Sequence, residues 1–200
     1  MAYLKIIKAL EKNGHIVHFF STSLEAINYL VHEIHGYTVG FGDSATIESL
    51  NLSTLLAANN TIIYPSPYSG SEFISVAKKT LLTDIFLTSA NALAETGELI
   101  NIDGTGNRVA GSLFGHKKVI FICGTNKIMP TIEKAIWRAR NIAAPKNAQR
   151  LGYKTPCAIN ADRCYDCSAP ERICNTLNIH LKSMKNTVSE VIIIAESLGF

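Results

Sequence analysis

Short runs of apolar, β-branched residues recur along the chain and alternate with segments whose apolar residues repeat at helical spacing. Runs of this kind are typical of strands that are covered on both faces. The predicted strands are residues 37–41, 61–64, 84–88, 118–123 and 191–195. The predicted helices, each with one apolar stripe, are residues 2–12, 22–34, 71–81 and 129–143. This alternation predicts a three-layer α/β sandwich with a mainly parallel sheet.

The alternation is interrupted in the middle of the chain. Ser89 is predicted to cap a short helix that ends near Glu95. Residues 98–102 and 108–114 are predicted strands, and the Asp-Gly pair between them is a strong hairpin signal. The sheet is therefore predicted to be partly mixed rather than wholly parallel.

Composition narrows the class of protein. The 200 residues are 47% hydrophobic and 18% charged, which is enough apolar material for a packed core and predicts a single domain over residues 1–200. A net charge of +3 is too small to indicate a nucleic-acid-binding face. No apolar run has the length of a membrane span, and Lys5 and Lys8 interrupt any signal-peptide core. We expect a cytoplasmic protein with neither nucleic-acid nor membrane partners, and the sequence leaves a homo-oligomer open.

A glycine loop follows the first predicted strand. The run Gly40-Phe41-Gly42-Asp43-Ser44-Ala45 fits the pattern G-x-G-x-x-A, in which backbone N–H groups can hold an anion. A dinucleotide site would also need an acidic residue at the end of the next strand, which instead ends Ile63-Tyr64-Pro65. The loop is therefore either an anion-binding loop of another kind or a tight turn that needs glycine.

Glu95 is the predicted catalytic residue. The carboxyl ends of parallel strands meet at one edge of a sheet, and both Gly40 and Thr88 lie at such ends. We therefore expect Glu95 and the glycine loop to face one crevice. A carboxylate near the end of a helix is disfavoured by the helix dipole, so Glu95 needs either a compensating partner or a chemical role as acid, base or nucleophile.

Polar residues after other strands extend the predicted crevice. Asp103 and Asn107 suit a turn on chemical grounds alone, whereas a turn does not require Arg108. Lys127 follows another strand and is predicted either to steady an anionic ligand or to be solvated. The full predicted ligand-binding set is Gly40, Gly42, Ser44, Thr46, Asn91, Asp103, Asn107, Arg108, Gly124, Asn126 and Lys127.

Four of the five cysteines lie in a C-terminal cysteine-rich excursion at residues 147–178. They are Cys157, Cys164, Cys167 and Cys174, with the spacing C-x6-C-x2-C-x6-C. Four thiolates suit zinc or an iron–sulfur cluster; reduced cysteines and a redox disulfide are the alternatives. Ser168 and Glu171 match a capping box, which predicts a helix directly after Cys167.

Several strings resemble the LUD-domain family, which is named for lactate utilisation and includes lactate-utilisation protein C. They are residues 40–46, 91–97, 101–110, 124–128 and 155–175. The resemblance spans nearly the whole chain. It implies a fold like that of ribose-phosphate isomerase, CoA transferases and formyltetrahydrofolate cyclo-ligase. It also implies a link to the oxidation of lactate to pyruvate alongside iron–sulfur partner proteins.

These observations lead to one functional hypothesis and two alternatives. The first is a LUD-domain protein of lactate utilisation, or of a related organic-acid pathway, that binds a small anionic metabolite or cofactor at the strand ends. The second is a non-catalytic accessory or metal-binding subunit of an iron–sulfur lactate-oxidising complex. The third is a regulatory ligand-binding module.

Overall fold

Two β-sheets form the centre of the structure, a computed structural model that describes residues 3–200. Ala2, which begins the first predicted helix, lies outside the described residues. The strands are β1 (Ile16–Phe20), β2 (Thr38–Phe41), β3 (Thr61–Ile63), β4 (Ile85–Thr88), β5 (Ala92–Ala94), β6 (Leu99–Asp103), β7 (Lys118–Gly124), β8 (Ile128–Met129), β9 (Thr176–His180) and β10 (Val188–Ile194). The helices are α1 (Leu4–Lys12), α2 (Ser23–Glu33), α3 (Ala45–Ser49), α4 (Leu52–Leu56), α5 (Gly70–Thr80), α6 (Asn107–Leu113), α7 (Ile132–Arg138), α8 (Ala144–Arg150) and α9 (Pro156–Asn160).

The larger sheet is wholly parallel and, in the described residues, has the strand order β1-β10-β7-β4-β2-β3. All five strands predicted from apolar runs lie in it, which confirms an α/β fold with a mainly parallel sheet. Strand β1 is not among the predicted strands. This edge strand leaves Ile16 and Phe19 exposed, so it lacks the continuous apolar run of a strand that is covered on both faces.

Alternate residues of the larger sheet pack on opposite sides, as the pleat of a strand requires. Phe41, Leu87 and Ile122 pack against helices α2, α3 and α4. Phe86 and Phe121 face the other way, toward α1 and the second sheet. The carboxyl ends of β2, β4 and β7 therefore come together at one edge between these two layers.

The second sheet is small and mixed, with the order β8-β5-β6-β9. Strand β6 is antiparallel to β5 and β9, whereas β8 is parallel to β5. Leu93 and Leu99 face the larger sheet, and Ala92 and Ile100 pack against α7. Parallel and antiparallel pairs thus occur together, as the sequence predicts, but they occur in a separate sheet rather than in the parallel one.

Two predictions for the interrupted region are wrong. The short helix from Ser89 to Glu95 is instead the buried strand β5. Residues 108–113 of the segment predicted as a strand, 108–114, belong instead to helix α6. The reason is the Asp103 carboxylate, which accepts the backbone N–H groups of Thr105, Gly106 and Val109 and so turns the chain into a helix rather than a hairpin.

The predicted helix at residues 129–143 begins later and continues further. The Thr131 side chain caps α7, and a π-helical turn at Ala139–Ala143 leads directly into α8. Pro145 lies in the first turn of α8 and has no N–H to donate to the carbonyl four residues before it. The extra residue of the π turn brings Ala143 to the wall of a cavity described below. None of the helices within residues 3–200 is both long and apolar enough to cross a membrane.

Two buried histidines link distant parts of the fold. His15 Nδ1 lies 2.7 Å from the Ser189 hydroxyl, and His180 Nε2 lies 3.1 Å from the Ser112 hydroxyl. Burial lowers the pKa of His15 to about 4. Burial, with a smaller contribution from His15, lowers the pKa of His180 to about 4 as well. Both rings are therefore neutral in the folded protein at neutral pH.

We expect the free energy of unfolding to fall as the pH falls from about 6.5 to about 4. In this range the unfolded chain binds protons that the folded rings do not, at a cost of up to about 1.4 kcal/mol per pH unit for each histidine. Urea unfolding between pH 7 and pH 4.5 measures this slope. His15→Gln should reduce the slope, whereas the matched exposed variant His32→Gln should leave it unchanged. An H15Q slope equal to that of the wild-type protein would show that these rings do not set the acid sensitivity.

Candidate functional site

Two adjoining cavities open where the strands of the larger sheet end. The outer one has a volume of about 540 Å³ and the inner one of about 50 Å³. They share a wall made of Asp43, Asn91, Arg108, Ala143 and Asn147. The outer volume lies within the roughly 300–1,000 Å³ typical of small-molecule sites. A ligand that spans both cavities would contact the loops after β2, β4 and β6 together with the π turn.

Lys127 forms the floor of the inner cavity. Its side chain comes from the turn after β7, and the residue is only 3% exposed. The ammonium Nζ donates to the hydroxyl of Thr46 at 2.8 Å, the hydroxyl of Ser89 at 2.9 Å and the carbonyl of Ala90 at 3.1 Å. All three acceptors are neutral. Of the two alternatives that the sequence left open for Lys127, a solvated surface lysine is wrong.

Arg108 enters the same region from the first turn of α6. Its guanidinium donates to the side-chain oxygens of Asn101 at 2.6 Å and Asn91 at 3.1 Å. It also donates to the backbone carbonyls of Ser89 and Ile102. These acceptors too are neutral, so the positive charge of Arg108 is held without direct neutralisation.

Arg138 on α7 completes a group of buried cations around residues 89–91. It donates to the backbone carbonyls of Asn91 and Asn126 and is 3% exposed. Across residues 3–200, no carboxylate lies within 4.0 Å of the charged groups of Lys127, Arg108 or Arg138. Buried charges are ordinarily paired, so this arrangement favours an anion in the inner cavity, which Lys127 and Arg108 line.

The electrostatic consequence is visible at Lys127. Burial lowers the pKa of its ammonium group to about 8; Cys123 opposes the shift, and the positive charges of Arg138 and Arg108 add to it. A lysine in this state keeps its charge at neutral pH but loses its proton far more readily than a surface lysine.

A carboxyl pair lies at the rim of the cavities. Asp43 lines both of them, and the Ser66 hydroxyl donates to Asp43 at 3.3 Å and to Glu48 at 2.7 Å. Arg150 on α8 pairs with both carboxylates. Burial raises the pKa of the Asp43 carboxyl; Arg150 opposes the shift, and Glu48 adds to it. The Asp43 carboxyl at the cavity rim thus holds its proton more tightly than an ordinary aspartate.

The structure brings most of the predicted ligand-binding residues together. Ser44, Thr46, Asn91, Arg108 and Lys127 line the inner cavity. Asn91 and Arg108 also line the outer cavity, together with Asp103 and Asn107. Their use by a ligand stays a prediction, but their common location agrees with the expected crevice at the strand ends.

Four predicted residues lie behind the cavity walls. A Cβ atom at Gly40 would lie 2.6 Å from the Thr83 hydroxyl, and one at Gly124 would lie 2.5 Å from the backbone oxygen of Glu196. Gly42 leaves the space that the Arg108 side chain occupies. Asn126 accepts the backbone N–H of Leu198 through its side-chain oxygen. These residues line neither cavity, and of the four only Gly42 is in close contact with a cavity residue, Arg108.

Glu95 lies elsewhere. Its carboxylate pairs with the Lys5 ammonium on α1 at 2.6 Å, and it lines neither cavity. The expectation that Glu95 and the glycine loop face one crevice is therefore corrected. The reason is the strand β5, which carries the chain away from the end of β4 before Glu95 is reached. The helix dipole that would have disfavoured this carboxylate is absent as well, and Lys5 is its ion-pair partner.

Several residues of the site were missed from the sequence. Ser89 was interpreted as a helix cap, although its position directly after β4 is a signal for the strand-end crevice. Arg138 lies within a regular helical pattern and carries no such signal. The outer wall includes Tyr68, Phe73 and Tyr153, which come from distant segments that only the fold brings together.

The four cysteines of the excursion are free thiols, and Cys164 and Cys167 lie near enough to Cys174 to help raise the pKa of its thiol, for which burial is the main cause. The Cys157 thiol on α9 contacts the Thr155 hydroxyl. The segment that contains Cys164 and Cys167 is held by hydrogen bonds and ion pairs from Arg140 and Arg172.

No set of three or more His, Cys, Asp or Glu residues within the described chain is arranged to hold a metal ion. Metal binding by Cys157, Cys164, Cys167 and Cys174 stays a prediction. The helix predicted after Cys167 is also not formed, because the Glu171 carboxylate accepts the backbone N–H of Lys154 instead of capping its own segment.

Gly42→Ala should disturb the site through Arg108. A Cβ atom at position 42 would lie 2.8 Å from Cγ of Arg108 and 2.9 Å from the Thr88 hydroxyl. We expect a loss of about 1–3 kcal/mol in the free energy of unfolding, the usual cost of overpacking. Denaturant unfolding measures it. Gly36→Asn is the matched control, because Gly36 has a φ of +77°, which asparagine tolerates, and open space around it. Equal stability of G42A and G36N would contradict the packing argument.

Comparison with known proteins agrees with this architecture. The LUD domain family model matches residues 3–194. The crystal structure of a DUF162 family protein from Deinococcus radiodurans is similar, with a TM-score of 0.52 and 13% sequence identity over 98% of this chain and 99% of that one. At this identity the likeness concerns the fold alone. A search of curated proteins found no match. The extent of the family match establishes that the chain belongs to the LUD domain family, which is related to lactate-utilisation proteins.

Proposed function

We propose that this LUD domain binds a small organic acid, with the carboxylate in the inner cavity and the remainder of the molecule extending into the outer one. The relation of the family to lactate utilisation makes hydroxy acids and oxo acids the first candidates. The observation that carries the proposal is the group of buried cations, Lys127, Arg108 and Arg138, whose hydrogen-bond acceptors are neutral oxygens.

The buried positive charges favour an anion over a neutral ligand. A buried charge without a partner costs several kcal/mol, and a bound anion offsets part of that cost. Asp43 and Asp103 are close enough to Arg108 to raise its pKa, whereas burial, the larger effect, lowers it. Neither forms an ion pair with it, so the Arg108 charge has no direct partner among the carboxylates of residues 3–200.

The size of the inner cavity agrees with a carboxylate. One water-sized probe needs roughly 10–15 Å³, so about 50 Å³ holds a group of three or four heavy atoms. The hydroxyls of Thr46 and Ser89 line this space and can turn their protons toward an anion, because a hydroxyl both donates and accepts. Lys127 would then act on the ligand mainly through these two hydroxyls and its charge.

Lys127→Met should remove most of the binding of sodium L-lactate and sodium pyruvate. Methionine has a similar volume but no charge, so we expect at least a tenfold weaker affinity, equivalent to about 1.4 kcal/mol. Isothermal titration calorimetry measures it, and thermal unfolding checks that the variant is folded. Lys117→Met is the matched control, since Lys117 is exposed and pairs with Asp84. Equal affinity in K127M and wild-type protein would remove the inner cavity as the anion site.

Asp43→Asn should strengthen the binding of the same anions. The Asp43 carboxylate lines both cavities and repels an anion when it is ionised. Its raised pKa means that wild-type affinity should increase as the pH falls through that pKa. D43N should bind more tightly than wild-type protein above that pKa, and the two affinities should converge below it. Titrations at several pH values measure this. Glu33→Gln removes a remote carboxylate and should change nothing. Weaker binding by D43N would instead make Asp43 a contact that the ligand needs.

A further inference from the structure

The contacts of Lys127 suit a neutral amine as well as an ammonium ion. Ala90 offers a carbonyl, which accepts an N–H from either form. Thr46 and Ser89 offer hydroxyls, which accept from the ammonium ion but can reverse and donate to the lone pair of the amine. A cage of carboxylates would hold only the charged form. The lysine can therefore lose its proton without leaving an unsatisfied buried group.

The surroundings of Lys127 favour that loss. The amine is buried beside the positive charges of Arg108 and Arg138, and the other titratable group nearby is the Cys123 thiol, 3.8 Å from the Ser89 hydroxyl. With a pKa of about 8, roughly one lysine in ten is neutral at pH 7. Desolvation and adjacent cations are the conditions that turn a lysine into a nucleophile.

The same amine faces the inner cavity, where the carboxylate of the proposed ligand would lie. An atom bonded to that carboxylate carbon would be close to Nζ. If that atom is a carbonyl carbon, the amine can attack it. The positive charges around the inner cavity thus favour an anion, and the Lys127 amine reacts only if that anion carries a carbonyl group next to its carboxylate.

We propose that Lys127 forms an imine with a 2-oxo acid held in the inner cavity. This inference rests on the proposed function and goes beyond it, because binding alone requires no covalent bond. It assigns the 2-oxo acids, rather than organic acids in general, as the reactive ligand class of this site.

The reaction balances without an oxidant or a reductant. The Nζ lone pair attacks the carbonyl carbon of the oxo acid, and one of the two Nζ protons passes to the carbonyl oxygen, a transfer that the Ser89 or Thr46 hydroxyl can relay. The hydroxyl of the resulting carbinolamine takes a second proton, the one that Lys127 released on becoming neutral, and leaves as water while the nitrogen electrons form the C=N bond. The product is a protonated imine, whose positive charge replaces that of the original ammonium ion beside the carboxylate.

Reductive trapping tests the inference. The full chain is incubated with sodium pyruvate and sodium cyanoborohydride, which reduces an imine to a stable secondary amine, and the digested protein is analysed by mass spectrometry. We expect one reduced pyruvate unit on Lys127. Labelling should increase roughly tenfold between pH 7 and pH 9 and then level off, because the amine titrates near pH 8. A surface lysine would continue to gain reactivity over the next pH unit.

The variants and competitors make the test specific. K127M should lose the label at the peptide that contains residue 127, and K117M should keep it. Excess L-lactate, which has no ketone group, should compete with pyruvate in the wild-type protein. Labelling spread evenly over surface lysines, or no label at Lys127, would overturn the inference. Pyruvate binding without a trapped adduct would overturn the imine and leave the proposed function intact. Absence of binding by both pyruvate and lactate would overturn both.

Discussion

The structure of the site depends on burying positive charge against neutral oxygen. Lys127, Arg108 and Arg138 reach the same few residues from three different elements, and hydroxyls, amide side chains and backbone carbonyls accept their protons. Such oxygens satisfy hydrogen bonds but do not cancel a charge in a medium of low dielectric constant. The fold therefore keeps buried positive charge without a neutralising carboxylate at one point, whereas in an ordinary protein core such a charge is paired.

The second sheet and the segment leading into it supply many of the oxygen atoms that accept hydrogen bonds from these cations. Residues 89–91 lead into β5, and the side chains of Asn91 and Asn101, on neighbouring strand segments, both accept from Arg108. A purely parallel fold would have sent the chain from β4 directly into a helix, whose carbonyls are occupied by its own N–H groups. The small mixed sheet exposes carbonyl and amide oxygens at the end of the parallel one. This explains why the site lies between the two sheets.

The sequence predicts the parallel part of the fold well, since each of its buried strands is a short apolar run bounded by polar residues. It does not predict β5 or β9. Strand β5 is made of Ala92, Leu93 and Ala94, a segment too short and too rich in alanine to differ from a helix by pattern.

The same limit explains the outcome at the site. Residues that follow a predicted strand, such as Ser44 and Lys127, are identified because topology alone places them together. Arg108 is identified on another ground, since a turn does not require it. Glu95 was misplaced because its location depends on the direction of β5. Arg138 is not predictable from the sequence, since a charged residue in a regular helical pattern is expected to be exposed. Only the tertiary packing of α7 buries it.

The π-helical turn at Ala139–Ala143 has a consequence for how this wall could evolve. A helix advances about 100° per residue, so one inserted residue rotates everything after it by that angle. Deleting it would swing Asn147 and Arg150 of α8 away from the opening and detach Arg150 from Asp43 and Glu48. Deletion of a single codon in this helix could thus rotate α8 at the opening of the outer cavity and alter which molecules enter. Lys127 and Arg108 at the inner cavity would stay in place.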